Sequence, residues 1–292
     1  MEKFNTLLQR EWMQHHRGWL ALMLAPPLIV LLMLPFGSVE IDGDDLGPTP
    51  ALALMLIAMA AAPAAVLGIT AVSMLFQTPG LARRDRQDRS IEFWLSLPTG
   101  HSASIGATVL MHLVLVPMLA LLVGAAFGVP IGFGLVWRAF GAAEAFGLPW
   151  GQLALAGVAG VLRALLGVAL ACAWLMPLLL ATMAASAWLK RWGVPVLAIS
   201  LGLAHKLLST LYGITWIGDI GRGLIVNARQ ALMPPRIRHA DQMLAAVADA
   251  PRWLFGNALD ALRDLGQPLF LFALIASAAC FALLVWRRSR NG

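Results

Sequence analysis

Residues 51–76 read A-L-A-L-M-L-I-A-M-A-A-A-P-A-A-V-L-G-I-T-A-V-S-M-L-F, without one charged side chain. Wound as an α-helix, such a stretch is about 39 Å long at 1.5 Å per residue. That exceeds the roughly 30 Å hydrocarbon core of a bilayer. Five more apolar runs repeat the pattern, at 19–36, 104–127, 162–187, 194–211 and 268–286, each of eighteen residues or more. Lipid offers the backbone no hydrogen-bond partner, so runs of this length are expected as helices. A β-barrel would need short alternating segments, and the chain has none. Pro26, Pro27, Pro63, Pro117 and Pro177 fall inside the runs. Kinks there are tolerable, because neighbouring helices can satisfy the freed backbone groups.

The whole composition agrees. Of 292 residues, 60% are hydrophobic before the 27 glycines are counted, and 12% are charged. Soluble domains carry about a quarter charged residues. A soluble enzyme, a nucleic-acid-binding domain and a disordered chain are thereby excluded. The expected fold is an all-α polytopic membrane protein, a single transmembrane domain over residues 1–292. Cys172 and Cys280 lie in apolar runs and read as small hydrophobes, not as a disulfide framework. No cleavable leader is evident, and the run at 19–36 reads as a retained first span.

Charge sets the expected orientation. The net charge is +6, and the basic residues cluster beside the runs. Lys3, Arg10 and Arg17 precede the first span, and Arg83, Arg84, Arg86 and Arg89 follow the second. Lys190 and Arg191 join the fourth to the fifth, and Arg287, Arg288 and Arg290 end the chain. The connection at 37–50 has no Lys or Arg and carries Glu40, Asp42, Asp44 and Asp45; that at 128–161 has only Arg138. The positive-inside rule therefore places both termini in the cytoplasm. Residues 212–267 form a long outer loop with Pro234-Pro235. Its apolar residues Met243, Leu244, Val247, Leu254, Ala258 and Leu262 suggest amphipathic pieces split at Pro251.

Before the first span, Phe4, Leu7, Leu8, Trp12 and His15 recur at helical spacing. Residues 1–18 are expected to form an interfacial helix on membrane lipid. Gly124, Gly128 and Gly132 recur every four residues. Either they let another helix approach, or Gly128 and Gly132 begin a loop. Gly218, Gly221 and Gly223 read as a turn outside the fifth span.

Several chemistries find no support. None of Lys3, Lys190 or Lys206 follows a glycine or precedes Ser or Thr, so a phosphate-cradling P-loop is missing. There is no His-Glu pair for a zinc hydrolase, and Ser200 lacks the first glycine of a nucleophile elbow. The histidines do not pair at ligand spacing along the chain, apart from His15-His16, which cannot share a helix face. His112, in the third span, reads as a hydrogen-bonding residue of the bundle interior. His205 and Lys206 lie near the outer end of the fifth span and Arg163 near that of the fourth; for Arg163 and Lys206, snorkelling to the interface is the cheaper expectation. Every acidic residue falls outside the six runs, which weighs against a proton-coupled carrier.

The loop at 77–103 carries the strongest signal. It contains Arg83-Arg84-Asp85-Arg86-Gln87-Asp88-Arg89-Ser90-Ile91-Glu92-Phe93-Trp94-Leu95-Ser96-Leu97-Pro98. Asp88 suits the start of a short helix and Pro98 its end. The aromatic and aliphatic cluster after the charges is more apolar than a purely solvated loop requires. This stretch, with Gln9-Arg10-Glu11-Trp12 before the first span and six spans between cytoplasmic ends, resembles the permease subunits of ABC-2 type ABC transporters. The resemblance covers nearly the whole chain. It implies a cytoplasmic coupling helix in which Arg86, Asp88, Arg89, Ser90, Ile91, Phe93, Trp94 and Leu97 contact a separate ATP-binding subunit. It also implies two such ATPase copies, which would hold the ATP and Mg, and a second permease subunit, by expectation an identical one. This chain would then be no enzyme itself and would hold no cofactor or metal. The implied setting is a bacterial cytoplasmic (inner) membrane and the implied role export. Two rival classes are a membrane-embedded enzyme acting on lipids and an ion-coupled secondary transporter.

A membrane-impermeant thiol reagent should label Asp44→Cys from outside intact cells and leave Gln87→Cys unlabelled. The opposite pattern would invert the topology.

Overall fold

The computed structural model describes residues 2–37, 49–81, 100–232 and 247–290. All regular structure among them is helical: α1 (Glu2–Met33), α2 (Pro50–Leu81), α3 (His101–Leu110), α4 (Val116–Phe140), α5 (Ala142–Gly147), α6 (Trp150–Leu189), α7 (Gly193–Tyr212), α8 (Trp216–Leu232), α9 (Ala250–Arg263) and α10 (Pro268–Arg290). A π-turn, Met111–Leu115, joins α3 to α4 in one rod. Among the described residues, five segments are long and apolar enough to cross a membrane: Phe4–Met33, Pro50–Leu81, His101–Phe140, Trp150–Tyr212 and Pro268–Arg290. The chain is thus a multi-pass membrane protein in its architecture. The fourth segment, 63 residues long, contains two helices. A 3-10 turn at Lys190–Trp192 breaks it, and Lys190 has φ +53°, a conformation that side-chain-bearing residues rarely adopt. Gly193 follows at a close approach; a Cβ there would lie 2.5 Å from the Cα of Ser186.

Several boundaries differ from the sequence reading. The expected interfacial helix and first span are one uninterrupted helix, α1. Leu7 is buried, and Leu8 and Trp12 pack against Trp19, Met23, Val66 and Met111. The stripe that was to meet lipid therefore meets the bundle, while Phe4 is half-buried. The third and fourth spans do not stop at 127 and 162. α4 runs on to Phe140, and α6 begins at Trp150. At about 1.5 Å per residue, forty-residue α6 is roughly 60 Å long, twice the hydrocarbon thickness. The overhanging ends are held by Phe133, whose ring meets Trp137, Phe146 and Trp150 at centroid distances of 5.5, 5.4 and 5.9 Å. Gly218, Gly221 and Gly223 lie inside α8, not in a turn; the turn is at Gly213, whose φ of +67° suits glycine. Pro251 opens α9, the boundary expected there, because a first-turn proline forfeits no helical hydrogen bond. Met243 and Leu244 lie outside the described residues.

The most extensive pairing is α2 against α4, and the glycine series makes it. A Cβ at Gly124 would fall on the Cα of Pro63 and 2.9 Å from the carbonyl of Ala62. One at Gly128 would lie 3.1 Å from the Cα of Met59, and one at Gly132 2.6 Å from Met55 Sδ. Gly128 and Gly132 therefore belong to a packing seam and begin no loop. Between apolar helices in lipid, close van der Waals approach replaces the hydrophobic drive available in water. By contrast, α7 buries only Gly193 and exposes Val196, Ile199, Leu203, Leu207 and Leu211.

The basic ends gather at one end of the bundle. Trp188 of α6 stacks on Trp286 of α10 at 6.3 Å, Arg287 lies over Trp188, and Arg290 over Trp286 at 4.2 Å. At the other end, Arg138 donates to the carbonyl of Gly37 at 2.6 Å.

Gly124→Leu should lower the yield and thermal midpoint of the purified protein, at a cost of about 1–3 kcal/mol for overpacking. Gly68→Leu, on an open face of α2, should change neither. Equal behaviour of the two variants would remove the seam from the account.

Candidate functional site

Among the described residues, a buried polar group lies where α1 meets α3 and the π-turn. On α1, Leu7, Glu11, His15 and Trp19 are spaced by four and so share one stripe. The stripe faces the bundle and carries Glu11 inward, 2% exposed. A lone carboxylate would not be tolerated there. Arg10, itself buried, donates Nη2–H to Glu11 Oε1. The Thr108 hydroxyl of α3 reaches the same oxygen at 3.1 Å. His112, wholly buried in the π-turn, has Nδ1 3.9 Å from Glu11 Oε2. Aromatic rings flank the group: Trp19 stands edge-on to His112 at 5.0 Å, and His15 lies 5.4 Å from His112 and 5.2 Å from Trp19.

The π-turn has a local cause. Pro117 has no N–H to give the carbonyl four residues earlier, that of Leu113. The thiol of Cys172, from α6, donates to that carbonyl at 2.8 Å. Val116 N–H bonds instead to Met111, five residues back. The extra residue rotates His112 inward, and π-bulges of this kind are frequent at functional sites. Cys172, read from sequence as a small hydrophobe, is thus also the donor that repairs the helix.

A second buried cation sits at the far end. Arg163 is only 5% exposed, so it does not snorkel. Its Nε donates to Asn257 Oδ1 of α9 at 2.7 Å and its Nη1 to the carbonyl of Ala231 at 2.9 Å. Ala231 lies in the last turn of α8, where carbonyls lack intrahelical donors and the helix dipole favours a cation. Gly167 leaves the room; a Cβ there would lie 2.5 Å from that carbonyl oxygen. Arg163 therefore pins the long loop region to α6.

Of the residues expected to contact an ATPase, Arg86, Asp88, Arg89, Ser90, Ile91, Phe93, Trp94 and Leu97 all lie outside the described residues. Leu7, Leu8 and Trp12 lie beside the buried cluster. Sequence spacing did not reveal Glu11, nor that His15 and His112 meet across 97 positions. The available signal was the four-residue series Leu7, Glu11, His15, Trp19, which puts a carboxylate on an otherwise buried stripe. Among the described residues, Glu11, His15 and His112 form the one trio with potential ligand atoms all within 4.8 Å of one another.

Comparison with protein-family models, curated proteins and solved structures finds no match for this chain.

Breaking the buried ion pair leaves one charge without its counterion, which costs about 3–5 kcal/mol in buried settings. Glu11→Leu should therefore lower the unfolding midpoint of the detergent-purified protein sharply. Arg10→Met/Glu11→Leu should recover most of the loss. If the double variant is no better than the single one, charge compensation is not what holds the site.

Proposed function

We propose that the chain is the transmembrane subunit of an ABC-2 type, ATP-driven exporter in a bacterial inner membrane. In this reading six helical rods cross the bilayer: α1, α2, α3 with α4, α6, α7 and α10. The turn at Lys190–Trp192 divides the fourth apolar segment into two crossings, and both termini are cytoplasmic. Two identical permease subunits enclose the path, and two ATPase subunits hold ATP and Mg. The cytoplasmic connection read at 77–103 docks on the ATPase through Phe93 and Trp94, framed by Arg86, Asp88 and Arg89.

One observation carries the coupling part of this reading. The charged, aromatic loop leads within two residues of Pro98 into α3. That helix is fastened to α1 by the Thr108–Glu11 bond, and His112 of the following π-turn lies beside the same carboxylate. A displacement delivered to the loop by closure of the ATPase pair would enter α3 at its first turn. It would then pass to α1 through the polar cluster and to α6 through the Cys172–Leu113 contact. Such a device shifts the population between two packed arrangements rather than performing chemistry.

A proton-coupled carrier is the second reading, and the burial of Glu11 beside His112 is what favours it. Arg10 weighs against it, since Glu11 already has a buried counterion in that guanidinium. A lipid-modifying enzyme has no comparable observation in its favour.

Phe93 and Trp94 would each cover about 150–250 Å² on docking. At roughly 25 cal/mol per Å², that contributes several kcal/mol before ordering costs. Phe93→Ala/Trp94→Ala should leave membrane insertion intact and reduce ATPase co-purification at least about tenfold. Full retention of partner binding and transport would remove the docking assignment. Transport that needs no ATPase and stops with a protonophore would favour the carrier.

A further inference from the structure

We propose that Glu11, His15 and His112 form a site for a borderline divalent transition metal of the zinc class, which clasps α1 to the π-turn. This inference is independent of ATP coupling. It rests first on convergence: one oxygen or nitrogen from each of the three side chains lies within 4.8 Å of the others. Tetrahedral zinc with ligands at about 2.1 Å holds them roughly 3.4 Å apart. The remaining closure is of the size a side-chain rotation supplies, and His15 is only half-buried.

The imidazoles are also set up as ligands. His15 Nδ1 is 3.0 Å from the carbonyl of Glu11, and His112 Nδ1 is 3.0 Å from the carbonyl of Thr108. A carbonyl oxygen only accepts, so Nδ1 bears the proton in each neutral ring and Nε2 keeps the lone pair; in His112 Nδ1 is also the atom 3.9 Å from Glu11 Oε2, so that ring turns when Nε2 takes the metal. Metal-bound histidines typically show this pattern, with the far N–H donated to a backbone carbonyl or carboxylate. Trp19, itself buried, walls the trio on one side.

Arg10 decides which ions fit. It holds Glu11 Oε1, and Thr108 reaches the same atom, while Oε2 is the oxygen turned toward His112. The carboxylate can therefore bridge guanidinium and metal. Its charge is largely offset by Arg10, so a hard ion held by charge alone, such as Mg²⁺ or Ca²⁺, gains little. Two imidazoles favour a softer ion such as Zn²⁺ or Co²⁺. Two histidines and one carboxylate leave a fourth position for water. The consequence is mechanical: the metal adds a bond between α1 and the π-turn to the ring and packing contacts already there, and it stabilises the state in which they touch.

The test uses the tag-free, detergent-purified full chain titrated with Co²⁺ and followed by visible absorption. Expected are saturation at one ion per chain, displacement by Zn²⁺, a higher unfolding midpoint with Zn²⁺ and none with Mg²⁺. His15→Ala, at a half-buried position, should fold and bind Co²⁺ roughly tenfold or more weakly. His112→Ala should do the same where it folds. His16→Ala should keep wild-type binding, because its ring stacks on Trp12 and bonds to the carbonyls of Trp12 and Met13. The proposal is overturned if no ligand-field spectrum develops, if the stoichiometry is not one, or if His15→Ala binds as tightly as wild type.

Discussion

Hydrocarbon gives a peptide group nothing to bond to, and every element of this fold answers to that constraint. Continuous helices satisfy it cheaply, which is why all regular structure among the described residues is helical. Where the ladder fails, the tertiary structure must repair it. Pro117 removes a donor in the middle of the α3–α4 rod, and the thiol of Cys172 supplies one from α6. The repair locks two rods together at mid-length, beside the π-turn in which Val116 N–H bonds to Met111 and His112 lies near Glu11.

The same constraint governs polar side chains. Each buried charge described above brings its own partners. Glu11 is met by Arg10 and Thr108, and Arg163 by Asn257 and the last turn of α8. Neither group adds much stability compared with a well-packed apolar substitute. What each adds is position. The first fixes α1 against α3 near the basic end of the bundle. The second fixes the connection after α7 against α6 at the opposite end. Between them, packing is steric, through the seam of Gly124, Gly128 and Gly132 on α2. Rigid contact in the middle and polar fasteners at both ends suit a body that moves as few large pieces, the behaviour that the transport reading requires.

Much was determined by the sequence itself. Composition and run length specify helices in lipid, because no other backbone conformation of an 18-residue apolar segment satisfies its own hydrogen bonds there. The four-residue glycine period allowed either a seam or the start of a loop, and the close approach of α2 decided for the seam. The absence of a P-loop follows from three lysines in the wrong company. All of these are local properties, readable wherever spacing along one chain equals spacing along one helix. Only the tertiary structure decided the rest: that α1 turns its stripe to the bundle, that Arg163 is enclosed, and that His15, Glu11 and His112 meet. These depend on which helix faces which. In an almost uniformly apolar chain the pattern of hydrophobicity no longer distinguishes lipid from protein, so a buried carboxylate and a surface one look alike until the neighbouring helix is in place.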